Sequence, residues 1–168
     1  MAHCLFCRLP IEPSELTTAM RIRLATVEDL DAICRLLDDD DLARSRDGHS
    51  SAPTEAVGAA FAEIQADANN ELWLAAGEEG LLGCLQLTFI PGLTQGGMRR
   101  ALVEAVRVRG DHRGQGIGAR LMAAAIERAR ERGCGLVQLT TDKRRLDAHR
   151  FYRGLGFVDS HEGMKLRL

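Results

Sequence analysis

Thirteen consecutive residues carry the clearest chemical signal in the chain: Val106-Arg107-Val108-Arg109-Gly110-Asp111-His112-Arg113-Gly114-Gln115-Gly116-Ile117-Gly118. An alternating strand pattern runs into a short loop, and the loop feeds a helix whose first turn is rich in glycine. The start of a helix leaves four N–H groups without partners, and the macrodipole puts partial positive charge there. Glycines allow an anion to reach the bare backbone, and Arg113 adds a full charge. The combination suits a diphosphate. A glycine-rich turn that only packs a helix against a strand has the same spacing, so the motif leaves both readings open.

Two familiar nucleotide motifs do not fit. A P-loop needs Gly-x-x-x-x-Gly-Lys-Ser/Thr, and the chain contains no Lys-Ser or Lys-Thr. A dinucleotide fold puts its glycines after the first strand, whereas these lie two-thirds of the way along.

The elements needed to hold this loop can be read on either side of it. Residues 1–19 show no sustained periodicity and are expected to be a flexible N-terminal extension. Met20–Ala25 alternates as a strand. Thr26 is a good N-cap for a helix with Val27, Leu30, Ile33, Cys34 and Leu37 on one stripe, ending in Asp38-Asp39-Asp40-Asp41. After a loop, Ala52-Pro53-Thr54 opens a second helix of about fourteen residues, with Val57, Phe61 and Ile64 at helical spacing. Strands follow at Leu72–Ala76 and Leu81–Phe89, joined by the turn Gly77-Glu78-Glu79-Gly80. Pro91 to Met98 is loop, and Arg100–Val108 is a strand. Gly116–Arg132 is a helix stopped by Gly133. Leu136–Thr140 is a strand, Arg145–Leu155 a helix, and Phe157–Leu168 holds one or two last strands. The pattern predicts an α/β (α+β) fold over residues 20–168: one domain, with a mixed central sheet flanked by helices on both faces.

Composition narrows the class. At 168 residues, 45% of them hydrophobic, the chain suits a single core. No run of about 18 uncharged apolar residues occurs, so no membrane span is expected. The first twenty residues lack a signal-peptide layout, which predicts a cytoplasmic protein. One Trp, one Tyr and five Phe offer few platforms for stacking bases, so no nucleic-acid role is expected. Residues 1–98 hold six Lys/Arg against sixteen Asp/Glu, and residues 99–168 hold sixteen against eight. A basic half facing an anion and an acidic half facing a cation would explain that split, as would solvated helix faces.

Five cysteines (Cys4, Cys7, Cys34, Cys84 and Cys134) make a disulfide framework improbable on an odd count. Cys4-x-x-Cys7 beside His3 supplies only part of a zinc ligand set. No second close pair follows, so no metal is expected. Cys34, Cys84 and Cys134 sit among apolar neighbours as small core residues.

At Arg113-Gly114-Gln115-Gly116-Ile117-Gly118 the sequence resembles the GCN5-related N-acetyltransferase superfamily, whose signature is Arg/Gln-x-x-Gly-x-Gly/Ala. A second stretch, Phe151-Tyr152-Arg153-Gly154-Leu155-Gly156-Phe157, is similar to that family's Phe-Tyr-x-x-Leu-Gly-Phe segment. The resemblance covers about residues 20–168. It implies acetyl-CoA as co-substrate, no metal, and transfer of acetyl to an amine by direct attack in a ternary complex. By that likeness, N–H groups from Arg113, Gly114, Gln115, Gly116, Ile117 and Gly118 hold the pyrophosphate, with Ala119 and Arg120 beside them. Val106 and Val108 bond the pantetheine arm through their backbone. The strand from Glu104 to Arg109 spans roughly 17 Å, which suits that arm.

Glu104 is the expected general base. By period two it shares a strand face with Leu102, Val106 and Val108, a carboxylate among apolar groups. A protonated amine must lose a proton before it can attack a thioester. A strand-end glutamate paired with Arg100 or Arg107 is the structural alternative. Tyr152, the only tyrosine, matches the family position that protonates the departing thiolate; packing over the core is its alternative. Many members carry Asn seven residues before that tyrosine, and here Arg145 stands in its place. The acceptor is expected to be a small-molecule amine or a peptide, drawn by Asp38–Asp41, Asp47, Glu78 and Glu79 and bounded by residues 38–54 and 91–98. His49 reads as a loop histidine. Family analogy also suggests a homodimer through the C-terminal strands. A non-catalytic CoA-binding regulatory module on the same scaffold is the alternative function.

Overall fold

The computed structural model describes residues 20–39, 53–166 and 168. The expected extension over residues 1–19, with Cys4 and Cys7, lies outside them, as do Asp40, Asp41, Asp47 and His49. In chain order the elements are β1 (Arg21–Leu24), α1 (Leu30–Asp38), α2 (Glu55–Ala66), β2 (Asn70–Gly77) and β3 (Gly80–Ile90). They continue with β4 (Arg99–Val108), α3 (Ile117–Glu131), β5 (Cys134–Leu139) and α4 (Leu146–Gly154). Single 3-10 turns precede α1 and follow β4. The sheet runs β1-β2-β3-β4-β5, antiparallel except for the parallel pair β4–β5.

Alternation along the strands splits the core between two faces. One face takes Leu85, Leu87 and Phe89 of β3 with Ala101 and Val103 of β4. These lie under Ile117, Leu121, Met122, Ala125 and Ala129 of α3. The other face takes Leu74 and Cys84 under Ile33 and Leu36 of α1 and Phe61 of α2. Helices therefore cover both faces of a mixed sheet, as the pattern predicted. Gly83 allows α3 its close approach: a Cβ there would lie 2.8 Å from the Arg107 carbonyl and 2.9 Å from Leu121 Cδ1.

Local signals match the elements they open. The Thr54 side chain accepts the Val57 N–H at the start of α2. Ahead of α1, the Asp29 carboxylate accepts the Thr26 N–H and both arms of Arg23, which holds its carboxyl down at about 2. Val27, expected on the apolar stripe, falls in the 3-10 turn and is exposed. Gly133 closes α3 with a φ of 70°.

The last expected element does not form. Residues 157–166 contain no strand, and Val158, Met164 and Leu166 stand exposed. Alternation there is only a propensity, because the segment makes no ladder with β5 that would take it up.

The far end of α3 is fastened by a buried carboxylate. Glu71 of β2 accepts from Trp73 Nε1 at 2.9 Å, from Arg128 Nη2 at 2.7 Å and from Arg132 Nη1 at 3.3 Å. Burial pushes this carboxyl up, but the bonds from Arg128 and Trp73 and the two positive charges outweigh it. The group titrates below the usual glutamate range. Its stabilisation is thus complete above the unfolded-chain value and disappears as pH falls through the lower folded value. Glu71→Ala is expected to cost about 2 kcal/mol in urea unfolding at pH 7, because two arginines lose their shared partner. The difference from the parent protein should shrink below about pH 4, where unfolding at matched urea gradients will reveal it.

Candidate active site

The site begins where β4 loses a neighbour. β5 pairs with β4 only from Arg99 to Val103, so Glu104–Val108 have β3 on one side and, among the described residues, no strand on the other. Within this half of β4, Ala105 adopts a φ of 51° and the register against β3 slips between Cys84 and Gln86. That is a β-bulge, and it reverses the alternation.

The reversal corrects one expectation. Glu104 does not share a face with Val106 and Val108. The two valines pack with the α3-side core, whereas Glu104 pairs with Gln86 on the face of α1 and α2. Glu104 is also exposed rather than enclosed by apolar groups. Beside it on the same face runs a polar row: Thr88 Oγ1 donates to Asn70 Oδ1 at 2.7 Å, and Gln86 Nε2 reaches the same oxygen at 3.4 Å.

The open edge of β4 bears backbone acceptors. Arg109 N–H donates to the Leu82 carbonyl of β3, so the Val108 carbonyl, in the same trans peptide, points the other way. Guanidinium groups sit on both relevant oxygens: Arg113 Nε on Val108 O at 3.2 Å, and Arg107 Nη1 on Val106 O at 2.9 Å. The edge expected to receive the pantetheine arm is thus polar, reachable and capped by the chain's own arginines.

The glycine loop follows directly. Gly114 has a φ of 77° and Gly116 a φ of 81°, left-handed conformations in which a side chain would be strained. Space stands open where a Gly114 Cβ would project. Gly116 is the N-cap of α3, and its carbonyl accepts the Arg120 N–H. The amides of Ile117, Gly118 and Ala119 are therefore first-turn donors with no intrahelical acceptor. Gln115 Nε2 bonds the Asp111 carbonyl, and Arg120 Nη2 reaches back to the Met20 carbonyl. A diphosphate fits this cradle: bare amides, glycine backbone without side-chain cover, and Arg113 beside it.

α3, β4 and α4 meet at one point. A Cβ on Gly118 would lie 3.3 Å from Phe151 Cζ and 3.5 Å from Val108 Cγ2. Tyr152 follows on α4, its ring tilted against Phe151 at 5.1 Å and edge-on to Phe157 at 5.9 Å. Burial raises its phenol above the usual value, although the charges of Arg107 and Arg145 oppose the shift. At neutral pH the hydroxyl keeps its proton and can donate it. Its electrostatic contact with Arg145 places that arginine near the tyrosine.

Two of the acidic groups expected to attract an amine do something else. Glu79 binds Arg109 at 2.9 Å and lies 3.5 Å from His112 Nε2. Asp39 accepts the Gly110 N–H at 2.9 Å and lies 3.6 Å from Arg113. Both brace the loop before α3, a role that charge counting missed because it ignores which turn each acid ends. Among the described residues, no group of three or more His, Cys, Asp or Glu is placed to hold a metal ion. No described helix is long and apolar enough to cross a membrane.

The three described thiols, Cys34, Cys84 and Cys134, are poorly suited to nucleophilic catalysis. Burial pushes Cys84 up to about 12 against a small opposing effect of Arg107, and burial likewise raises Cys34 and Cys134. At pH 8 about one Cys84 in ten thousand is thiolate. Cys84 should therefore resist iodoacetamide at pH 8 in the folded protein and react fully in urea, as peptide mass mapping will show.

Comparison with known proteins agrees with this geometry. The profile of the Acetyltransferase (GNAT) family matches residues 30–157. Aminoalkylphosphonate N-acetyltransferase of Salmonella typhimurium is 35% identical over 145 residues, covering 83% of this chain and 86% of that protein. The crystal structure of a transcriptional regulator from Bacillus halodurans C-125 is 50% identical, with a TM-score of 0.82, over 89% of this chain and 99% of that one. An acetyltransferase from Trypanosoma brucei is 25% identical with a TM-score of 0.74, over 89% of this chain and 99% of that one. The chain belongs to the acetyltransferase (GNAT) family and is, on that footing, an acetyl-CoA-dependent N-acetyltransferase.

Proposed function

We propose that the protein transfers acetyl from acetyl-CoA to the amine of a small polar molecule by direct attack, with Glu104 and Tyr152 as the proton-moving residues. The observation that carries this reading is the open edge of β4 leading without interruption into the glycine cradle of α3. Backbone N–H groups from Gly114 to Gly118 hold the diphosphate, and Ala119 extends the same amide row, whereas the Arg113 N–H, expected among them, already donates to the Gly110 carbonyl at 3.4 Å and leaves that residue its guanidinium. Val106 and Val108 take the pantetheine arm as an added strand takes its neighbour, displacing the two arginines that cap their carbonyls.

The bulge at Ala105 supports different sides for the two substrates. Cofactor-facing valines lie on the α3 side, and Glu104 lies on the opposite face with Asn70, Gln86 and Thr88. An amine resting on that polar row meets the thioester through the gap between β4 and β5. Glu104 accepts the ammonium proton, directly or through water, and frees the nitrogen lone pair. The nitrogen bonds to the acetyl carbon, the C–S bond breaks, the Tyr152 hydroxyl gives its proton to the departing sulfur, and the second proton of the nitrogen passes through water to restore the phenol. The polar row and the aminoalkylphosphonate specificity of the Salmonella relative both support a small hydrophilic primary amine.

A thiol-release assay with acetyl-CoA and a panel of aminoalkylphosphonates, polyamines, amino acids and aminoglycosides tests the reading. Free CoA should appear only with a suitable amine; CoA binding with no release across the panel is the outcome a non-catalytic module predicts. Glu104→Gln should lower kcat about 100-fold, the scale of a lost general base, with the CoA dissociation constant within about twofold of the parent. Tyr152→Phe should lower kcat about tenfold and leave affinity alone. Unchanged turnover in either variant removes that residue from the mechanism.

A further inference from the structure

We infer that Asp39 is a competing anion built into the cofactor loop, a positioning residue that acts on coenzyme A binding through Arg113. The inference rests on the cofactor placement proposed above. Asp39 terminates α1, far from the loop in sequence, yet it makes three connections there. Its Oδ2 accepts the Gly110 N–H at 2.9 Å, its backbone carbonyl accepts Arg113 Nη2 at 3.1 Å, and its carboxylate lies 3.6 Å from the same guanidinium. A Cβ on Gly110 would sit 3.1 Å from that carboxylate, so glycine is what lets the acid come so near.

The consequence is a guanidinium already engaged. Arg113 is folded back with Nε on the Val108 carbonyl and its far end on Asp39. Those are a strand acceptor and an anion, the two kinds of partner that a pantetheine amide and a phosphate would replace. The side chains of Arg113 and Asp39 are 59% and 49% exposed, and an ion pair so open to water is weak. A dianionic diphosphate can therefore take Arg113 over, while Asp39 keeps its bond to the Gly110 N–H and holds the turn in shape. The carboxylate thus sets two properties at once: loop geometry through its oxygen, and coenzyme affinity through its charge.

Asp39→Asn separates them, since the amide oxygen can still accept the Gly110 N–H while the charge is gone. Calorimetric titration of the full chain with coenzyme A, and separately with 3′-dephospho-CoA, is the test. Asp39→Asn should tighten both ligands about three- to tenfold at low salt, with the gap closing at high salt and the melting temperature unmoved. In the Arg113→Ala background the same substitution should give no tightening, because the competition is for that guanidinium. Equal affinities for Asp39→Asn and the parent overturn the inference and leave the cofactor site standing. Tightening that persists without Arg113 overturns the route through that arginine. A parent protein that binds neither ligand overturns the cofactor placement itself.

Discussion

Past Val103 the central strand β4 has, among the described residues, a partner on one side only, and the rest of the site depends on that loss. A strand edge inside a sheet carries polar groups that need partners, so an unfilled edge is a binding surface by construction. Here it leads straight into the start of a fifteen-residue helix, whose first amides have no intrahelical acceptor. The bulge at Ala105 adds the second requirement by putting Glu104 and Val106, two residues apart, on opposite faces. One strand thereby carries an open backbone edge beside the α3-side valines and a carboxylate on the opposite face.

Packing keeps this arrangement from closing. α3 is seated through Leu121, Met122, Ala125 and Ala129, all within about a hundredth of full burial, and its far end is tied to β2 by Glu71. Arg132 also lies over the Phe89 ring at 4.3 Å. The helix is thus anchored along its length and cannot drift into the gap beside β4. At the near end, acids and bases alternate around the loop: Glu79 with Arg109, Asp111 with His112, Asp39 with Arg113. His112 and Arg109 hold the Asp111 carboxyl down at about 2. These pairs brace the loop without filling the cradle.

Much of the molecule could be read from its residues, and the failures have definite causes. The glycine loop, the two helices after β4, and the hairpin at Gly77–Gly80 announced themselves because turn chemistry and periodicity agree there. The bulge did not, because alanine gives no sign that it will adopt a left-handed conformation; only the register with β3 reveals it. Glu104 was therefore placed among Val106 and Val108 when it belongs with Gln86. The polar row of Asn70, Gln86 and Thr88 was missed for a related reason, since three strand residues far apart in sequence converge only after pairing. The acids at Asp39 and Glu79 were counted as a charge field, although each is committed to one arginine. The C-terminal alternation around Met164 and Leu166 predicted a strand that finds no partner.

The charge asymmetry acquires a plainer meaning in three dimensions. Part of the basic half serves α3 itself, through Arg128 and Arg130 with Glu71, Glu127 and Glu131, while Arg113 and Arg107 cap carbonyls of the open edge. In the proposed reading, anion recognition thus rests on backbone amides more than on net charge. Amide NMR of the 15N-labelled protein during titration with coenzyme A measures that directly. The account predicts the largest shifts at Gly114, Gly116, Ile117 and Gly118, with Val106 and Val108 moving in step at the same ligand concentration. Shifts confined to other residues, or a spectrum unchanged at saturating ligand, would contradict it.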